Sequence, residues 1–149
     1  MQLTSYTDYA LRVLMYLAMS PNGQATISEI AGFFNISRNH LVKIVHQLGS
    51  KGFVNTTRGK GGGLALQRPP AMISVGAVVR AMENHFNWVE CFDPTQQHCR
   101  FLPNCALKHV LERAGNAYLQ VLDEATLADM LLDITPVALP QKETFENPA

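Results

Sequence analysis

No stretch of this sequence approaches about eighteen consecutive apolar residues, so no segment is expected to span a membrane. The start, Met1-Gln2-Leu3-Thr4, lacks the basic opening, apolar run and small-residue cleavage site of a signal peptide, and a cytoplasmic location is the expectation. Cysteine is scarce and odd in number: Cys91, Cys99 and Cys105 are all there are, so no disulfide framework is expected in a cytosolic chain and any pairing would leave one thiol over. Acidic residues are nearly missing from the first seventy positions, where only Asp8 and Glu29 oppose seven Lys/Arg, a net of +5. The remainder carries five basic against ten acidic residues, a net of −5, so the overall charge of zero conceals a basic half joined to an acidic one. A DNA-facing half joined to a regulatory half would produce that asymmetry. There is also no nucleophile–base pair and no Gly-Lys-Ser/Thr loop entering a helix, so an enzyme is not expected.

What is present begins with helices. Thr4 or Ser5 can cap a helix in which Tyr6, Ala10, Val13, Leu14 and Leu17 recur at three- and four-residue spacing, until Ser20-Pro21-Asn22-Gly23 stops it. A second helix is signalled from Thr26 or Ser28 to Phe34. A third starts at Ser37, whose hydroxyl is expected to accept from first-turn N–H groups, and runs through Leu41, Ile44, Val45 and Leu48 to Gly52. Two short helices around a tight turn, the second carrying Arg38, Asn39, His40 and Lys43 off its apolar stripe, predict a helix-turn-helix. Phe53–Thr57 and Leu64–Leu66 are strand candidates flanking Arg58-Gly59-Lys60-Gly61-Gly62-Gly63, a basic hairpin suited to act as a wing in a minor groove.

Beyond the Gln67-Arg68-Pro69-Pro70 linker, Ser74 is expected to cap a helix through Val75, Val78, Val79 and Met82. Residues 83–104 then lose periodicity, and a connector that long without secondary structure usually binds something. Helical periodicity returns with Leu107, Leu111, Ala114, Tyr118, Val121, Ala125 and Ala128, a heptad-like seam suited to packing against a second copy or back onto its own domain.

The three cysteines fall in or beside that connector, with seven residues between the first pair and five between the second. Clustered thiolates off any apolar face suit an iron-sulfur cluster or zinc. Zinc could recruit His98 or His109 as a fourth ligand, although structural zinc sites usually pair ligands at closer spacing.

Taken together, the chain resembles the Rrf-two family of bacterial transcription regulators over about residues 1–135. The resemblance rests on Leu3-Thr4-Ser5-Tyr6-Thr7-Asp8-Tyr9, on Ile36-Ser37-Arg38-Asn39-His40-Leu41-Val42-Lys43-Ile44, on Arg58-Gly59-Lys60-Gly61-Gly62-Gly63, on the cysteine triad and on Thr126-Leu127-Ala128-Asp129. The Ser-Arg-Asn-His run and Asp8 resemble its nitric-oxide-sensing branch in particular. That resemblance implies an iron-sulfur cluster, 4Fe-4S ahead of 2Fe-2S, held by Cys91, Cys99 and Cys105, with Asp8 of the partner subunit as fourth ligand. A sister branch places a histidine three residues after its last cysteine position; here that residue is Lys108.

The expected fold is mainly α with a small β-hairpin wing. Residues 1–82 would form the winged helix-turn-helix, 83–105 the cluster-binding loop and 106–135 the dimerisation helix region, with 136–149 a flexible tail. The expected function is a homodimeric repressor that binds double-stranded operator DNA and releases it when nitric oxide attacks the cluster. An iron- or cluster-status sensor of the same family, and a zinc or thiol-redox repressor, are the alternatives. Ser37, Arg38, Asn39, His40, Lys43, Arg58 and Lys60 would contact DNA, the first residues of the third helix reaching base edges and Lys43, Arg58 and Lys60 meeting phosphate.

Overall fold

Helix α1 (Ser5–Met19) starts where Thr4 accepts from the Thr7 N–H and stops at Ser20, whose N–H returns to the Leu17 carbonyl. It is the centre of the computed structural model, which describes residues 2–57, 59, 62–132 and 134. Its buried face, Ala10, Val13, Leu14 and Leu17, follows the expected spacing. Helix α2 (Ile27–Phe34) is closed by a reciprocal capping box between Thr26 and Glu29 and ends at Asn35 in the left-handed region, φ 52°. Helix α3 (Arg38–Ser50) buries Leu41, Ile44, Val45 and Leu48, has Lys51 as its C-cap and is followed by Gly52 at φ +77°.

These helices converge on one core, in which Leu14, Leu17, Ile30, Leu41, Ile44 and Leu48 are almost wholly removed from water. Tyr16, Phe33 and Phe34 close the α1–α2 side with edge-to-face ring contacts.

The hairpin forms from β2 (Val54–Thr56) and β3 (Leu64–Leu66), antiparallel, with Asn55 opposite Ala65. A third strand unforeseen from the sequence, β1 (Gln24–Ala25), pairs with the other edge of β3, giving the order β1-β3-β2. Its approach depends on Gly63, where an added Cβ would lie 3.0 Å from the Ala25 carbonyl oxygen. The turn that joins β2 to β3 contains Arg58 and Lys60, which lie outside the described residues, as does the tail at 136–149.

Ser74 caps α4 (Val75–Met82) by accepting from the Ala77 N–H, as expected. The connector has one short 3-10 turn, Glu90–Phe92, before α5 (Ala106–Glu124). One expectation needs correction here: the helical seam does not continue through Ala125 to Ala128. Long-range backbone pairing takes over after Glu124. The Val75 N–H donates to the Ala125 carbonyl at 2.9 Å, the Leu127 N–H donates to the Ile73 carbonyl at 2.8 Å, and Leu127 is buried. A two-pronged Arg80–Asp123 ion pair and the Ser74 hydroxyl on the Asp123 carbonyl lock the same joint.

The seam itself also divides into two faces. Leu111 and Tyr118 turn toward the chain's own fold, where the Trp88 ring packs over Gly115 and meets Tyr118 edge-to-face at 5.9 Å. The outward face is Leu107, Val110, Ala114, Ala117 and Val121, an alternation of three and four, with Leu107 and Val121 about two-thirds exposed.

Candidate nucleic-acid interface and thiol connector

Because the apolar stripe of α3 faces the core, its polar residues are left in solvent: Arg38, Asn39, His40, Lys43 and His46 are all exposed. No acidic residue occurs anywhere in α3, so the exposed surface carries Arg38 and Lys43 without a carboxylate on the same helix to neutralise them. Ser37 holds the N-cap position but its hydroxyl makes no capping bond, contrary to expectation. With φ −54° and ψ 127° the residue only turns the chain into the helix, and its exposed side chain leaves first-turn N–H donors uncovered. Such an end is suited to an anion. Sequence reasoning also passed over His46 and Val42, both exposed on α3, because a valine among Leu41, Ile44 and Val45 reads as core.

Asp8 lies in the first turn of α1, where both carboxylate oxygens are engaged by Arg12. The Arg12 Nε donates to Oδ1 at 3.0 Å and Nη2 lies 2.8 Å from Oδ2. The Arg12 guanidinium also sits over the Tyr9 and Phe34 rings, 5.8 and 5.9 Å from their centroids. Both members of the pair are nearly half exposed, so its contribution to stability is at most a few tenths of a kcal/mol.

The buried neighbour Thr7 makes a stronger tie. Its hydroxyl donates to Glu83 Oε1 at 2.5 Å, and the same oxygen accepts from the Thr4 N–H at 2.9 Å and the Thr4 hydroxyl at 3.0 Å. Partial burial pushes the Glu83 carboxyl up, but the Thr7 and Thr4 donors outweigh it and hold it below the ordinary glutamate range. Glu83 is the first residue of the connector, so the segment bearing the thiols is pinned to the turn that contains Asp8.

The thiols themselves are free. Cys91 is half-buried in the 3-10 turn, Cys99 is exposed, and Cys105 is half-buried at the N-cap of α5, where it makes no capping bond. Among the described residues no three His, Cys, Asp or Glu side chains converge as a group able to hold a metal ion. The structure therefore confines the three thiols to one segment without assembling them, and it places Asp8 with Arg12 instead of with a cysteine. His109 is exposed and faces Glu112 at 3.4 Å, and His98 is exposed in the connector. As a donor set, three free thiols and a displaceable carboxylate fit a soft metal centre with one harder corner.

Comparison with known proteins places the chain. The profile of the Rrf2 family, described as iron-dependent transcriptional regulators, matches residues 3–133. The chain belongs to the Rrf2 family. It is similar to the HTH-type transcriptional regulator NsrR of Bacillus subtilis, 50% identical over 132 residues that make up 88% of this chain and 90% of that one. Among solved structures, CymR of B. subtilis, the global cysteine regulator, superposes with a TM-score of 0.73 at 27% identity, covering 87% of this chain and 95% of its own. T. potens IscR gives 0.74 at 26%, covering 95% and 93%.

The expected Rrf2 resemblance and the winged-helix fold are thus borne out, and the similar curated relatives carry the name NsrR. The family consists of transcriptional regulators, and among the described residues of this Rrf2 chain no helix is long and apolar enough to cross a membrane.

Proposed function

We propose that this Rrf2 chain is a cytoplasmic, homodimeric repressor that binds operator DNA while an iron-sulfur cluster is held by its thiols, and that nitric oxide is the signal that releases it. One observation carries the reading: every thiol of the chain is free and lies in the segment joining the DNA-reading head to the outward apolar face of α5. A ligand gathering those thiols changes the chain segment that links the two.

Cys91, Cys99 and Cys105 would hold the cluster, with Asp8 of the partner subunit at the remaining corner, 4Fe-4S being favoured over 2Fe-2S. When bound, the cluster supplies iron that nitric oxide attacks, and a carboxylate is the ligand most readily given up at such a site. The chain's own residues supply the coupling. Asp8 must leave Arg12 to reach a partner, and it sits in α1, which packs directly on α3. Glu83 draws the start of the connector against Thr4 and Thr7 in the same turn. Movement of the thiols is therefore felt by the helix that presents Arg38, Asn39 and His40 to base edges. Ser37 and Lys43, with Arg58 and Lys60 in the wing turn, serve phosphates.

Pairing of two chains through Leu107, Val110, Ala114, Ala117 and Val121 would set two recognition helices on successive major grooves about 34 Å apart. A hundredfold change in operator affinity requires about 2.8 kcal/mol of coupling, within the ordinary range for two linked sites.

The test is anaerobic purification followed by operator binding on the same sample. A brown protein with broad visible absorbance that loses DNA on adding nitric oxide is the expected result, and a colourless protein with stoichiometric zinc would overturn it. The family description as iron-dependent favours a second reading, in which iron supply is the signal. Release by an iron chelator at concentrations that leave nitric oxide without effect would select that alternative.

A further inference from the structure

Val42 is the one exposed apolar side chain of α3 among its described residues. It is 45% exposed, whereas Leu41 and Ile44 are fully buried and Val45 is 4% exposed. At about 100° per residue, Arg38 and His46 lie about 40° to either side of it and Asn39 about 60° away. Val42 therefore stands inside the polar arc that faces solvent. Helix formation does not account for it, since a β-branched residue is a poorer helix former than the straight-chain residues an exposed position accepts. Its neighbours are cationic or neutral, with no acid in the helix, so the surface around it suits a polyanion and not an apolar protein face.

The edges of DNA bases in the major groove carry one apolar group, the C5-methyl of thymine. Resting on the DNA-binding reading above, we infer that Val42 packs against a thymine methyl in each half-site and selects thymine over cytosine there, while Arg38 and Asn39 hydrogen-bond to neighbouring bases.

Uracil removes that methyl and nothing else, which makes a direct test. Operator duplexes are first selected from a random pool by the anaerobic, cluster-loaded full chain, and each thymine is then replaced singly by uracil. Burying one methyl predicts about a fourfold loss of affinity, equivalent to about 0.8 kcal/mol, at one thymine per half-site. Val42→Ala is expected to bind the thymine duplex about fourfold more weakly than the parent and to be indifferent to uracil at that position. Val42→Thr, which keeps one methyl, should fall between them. A parent protein indifferent to uracil at every position overturns the assignment, as does Val42→Ala that retains the full uracil penalty; in both cases operator binding itself stands. Failure to select any site overturns the DNA-binding reading along with this one.

Discussion

The two halves of the thiol-to-DNA connection are built on opposite principles. In the head, α1, α2, α3 and the small sheet share a core with many side chains at or near zero exposure, and α1 and α2 each start at a side-chain cap. In the connector, not one residue from 83 to 105 is buried, and its hydrogen bonds are short-range apart from those of Glu83 to Thr4 and Thr7. Close packing makes the first rigid and cooperative, whereas segments with few buried contacts open at low free-energy cost. A sensor needs both: ligands that can be gathered or released cheaply, and a reading surface that keeps its shape. The contrast predicts where substitutions should hurt folding and where they should hurt only response.

The largest effect belongs to the head. Leu14→Ala empties a wholly buried site and is expected to cost about 3 kcal/mol in chemical denaturation, with or without a cluster. Serine at all three cysteines should by contrast leave the unfolding midpoint of the metal-free chain almost unchanged while abolishing visible absorbance. Equal losses from the two variants would erase the proposed division.

Next comes the one aromatic anchor of the connector. The Trp88 ring packs on the backbone of α5 at Gly115, and a Cβ there would sit 3.2 Å from the ring. Gly115→Ala should displace the indole at a cost of about 1 to 2 kcal/mol, offset in part by alanine's better helix propensity. As Trp88 is the only tryptophan, a red shift of its emission reports the movement directly, and reduced iron content after reconstitution would show that the anchor also positions Cys91.

Much of the head was legible because its signals are local. Thr4, Thr26 and Ser74 cap where their residue types suggest, and α1, α3 and α4 bury most of the side chains that periodicity selects, while α2 buries Ile30 and leaves Ile27, Ala31 and Phe34 partly exposed. Strand β1 was not legible, since two residues show no alternation and only pairing with β3 defines them. The end of α5 was hidden for a similar reason: the helical pattern runs on to Ala128, but backbone pairing with residues 73–75 takes over at Ala125. Spacing alone could not tell the two faces of α5 apart, because Leu111 and Tyr118 fit the same heptad as Leu107, Ala114 and Val121. The cysteines were legible as chemistry, while their arrangement was not, since no regular element fixes the distances between Cys91, Cys99 and Cys105.

The Glu83 tie can be probed from its α1 end. Thr7→Val removes a buried donor while keeping its shape and should cost about 1 kcal/mol, a low figure because the carboxylate is half exposed and retains Thr4. The folded carboxyl is held below its ordinary value, so it contributes stability that is present above the ordinary glutamate range and lost as pH falls through the folded value. Acid titration of stability should accordingly be shallower in Thr7→Val than in the parent, and parallel curves would remove Glu83 from the coupling.

The smallest effect on folding should come with the largest change in response. Asp8 is tied only to Arg12 across a half-exposed surface, so Asp8→Ala should move the unfolding free energy of the metal-free chain by no more than a few tenths of a kcal/mol. If the partner's Asp8 completes the cluster, the same variant should still bind iron through the thiols but titrate differently with nitric oxide, read as visible absorbance against nitric oxide added per cluster. Arg12→Ala separates the two roles, because it removes the ion pair and leaves the carboxylate unclaimed by its own chain. Its cluster should be no less fully formed than the parent's, while Asp8→Ala alone shows the altered titration. An Asp8→Ala protein indistinguishable from the parent in nitric oxide response would leave the Asp8–Arg12 pair as an ordinary surface contact, and the head would then feel the connector through Glu83 alone.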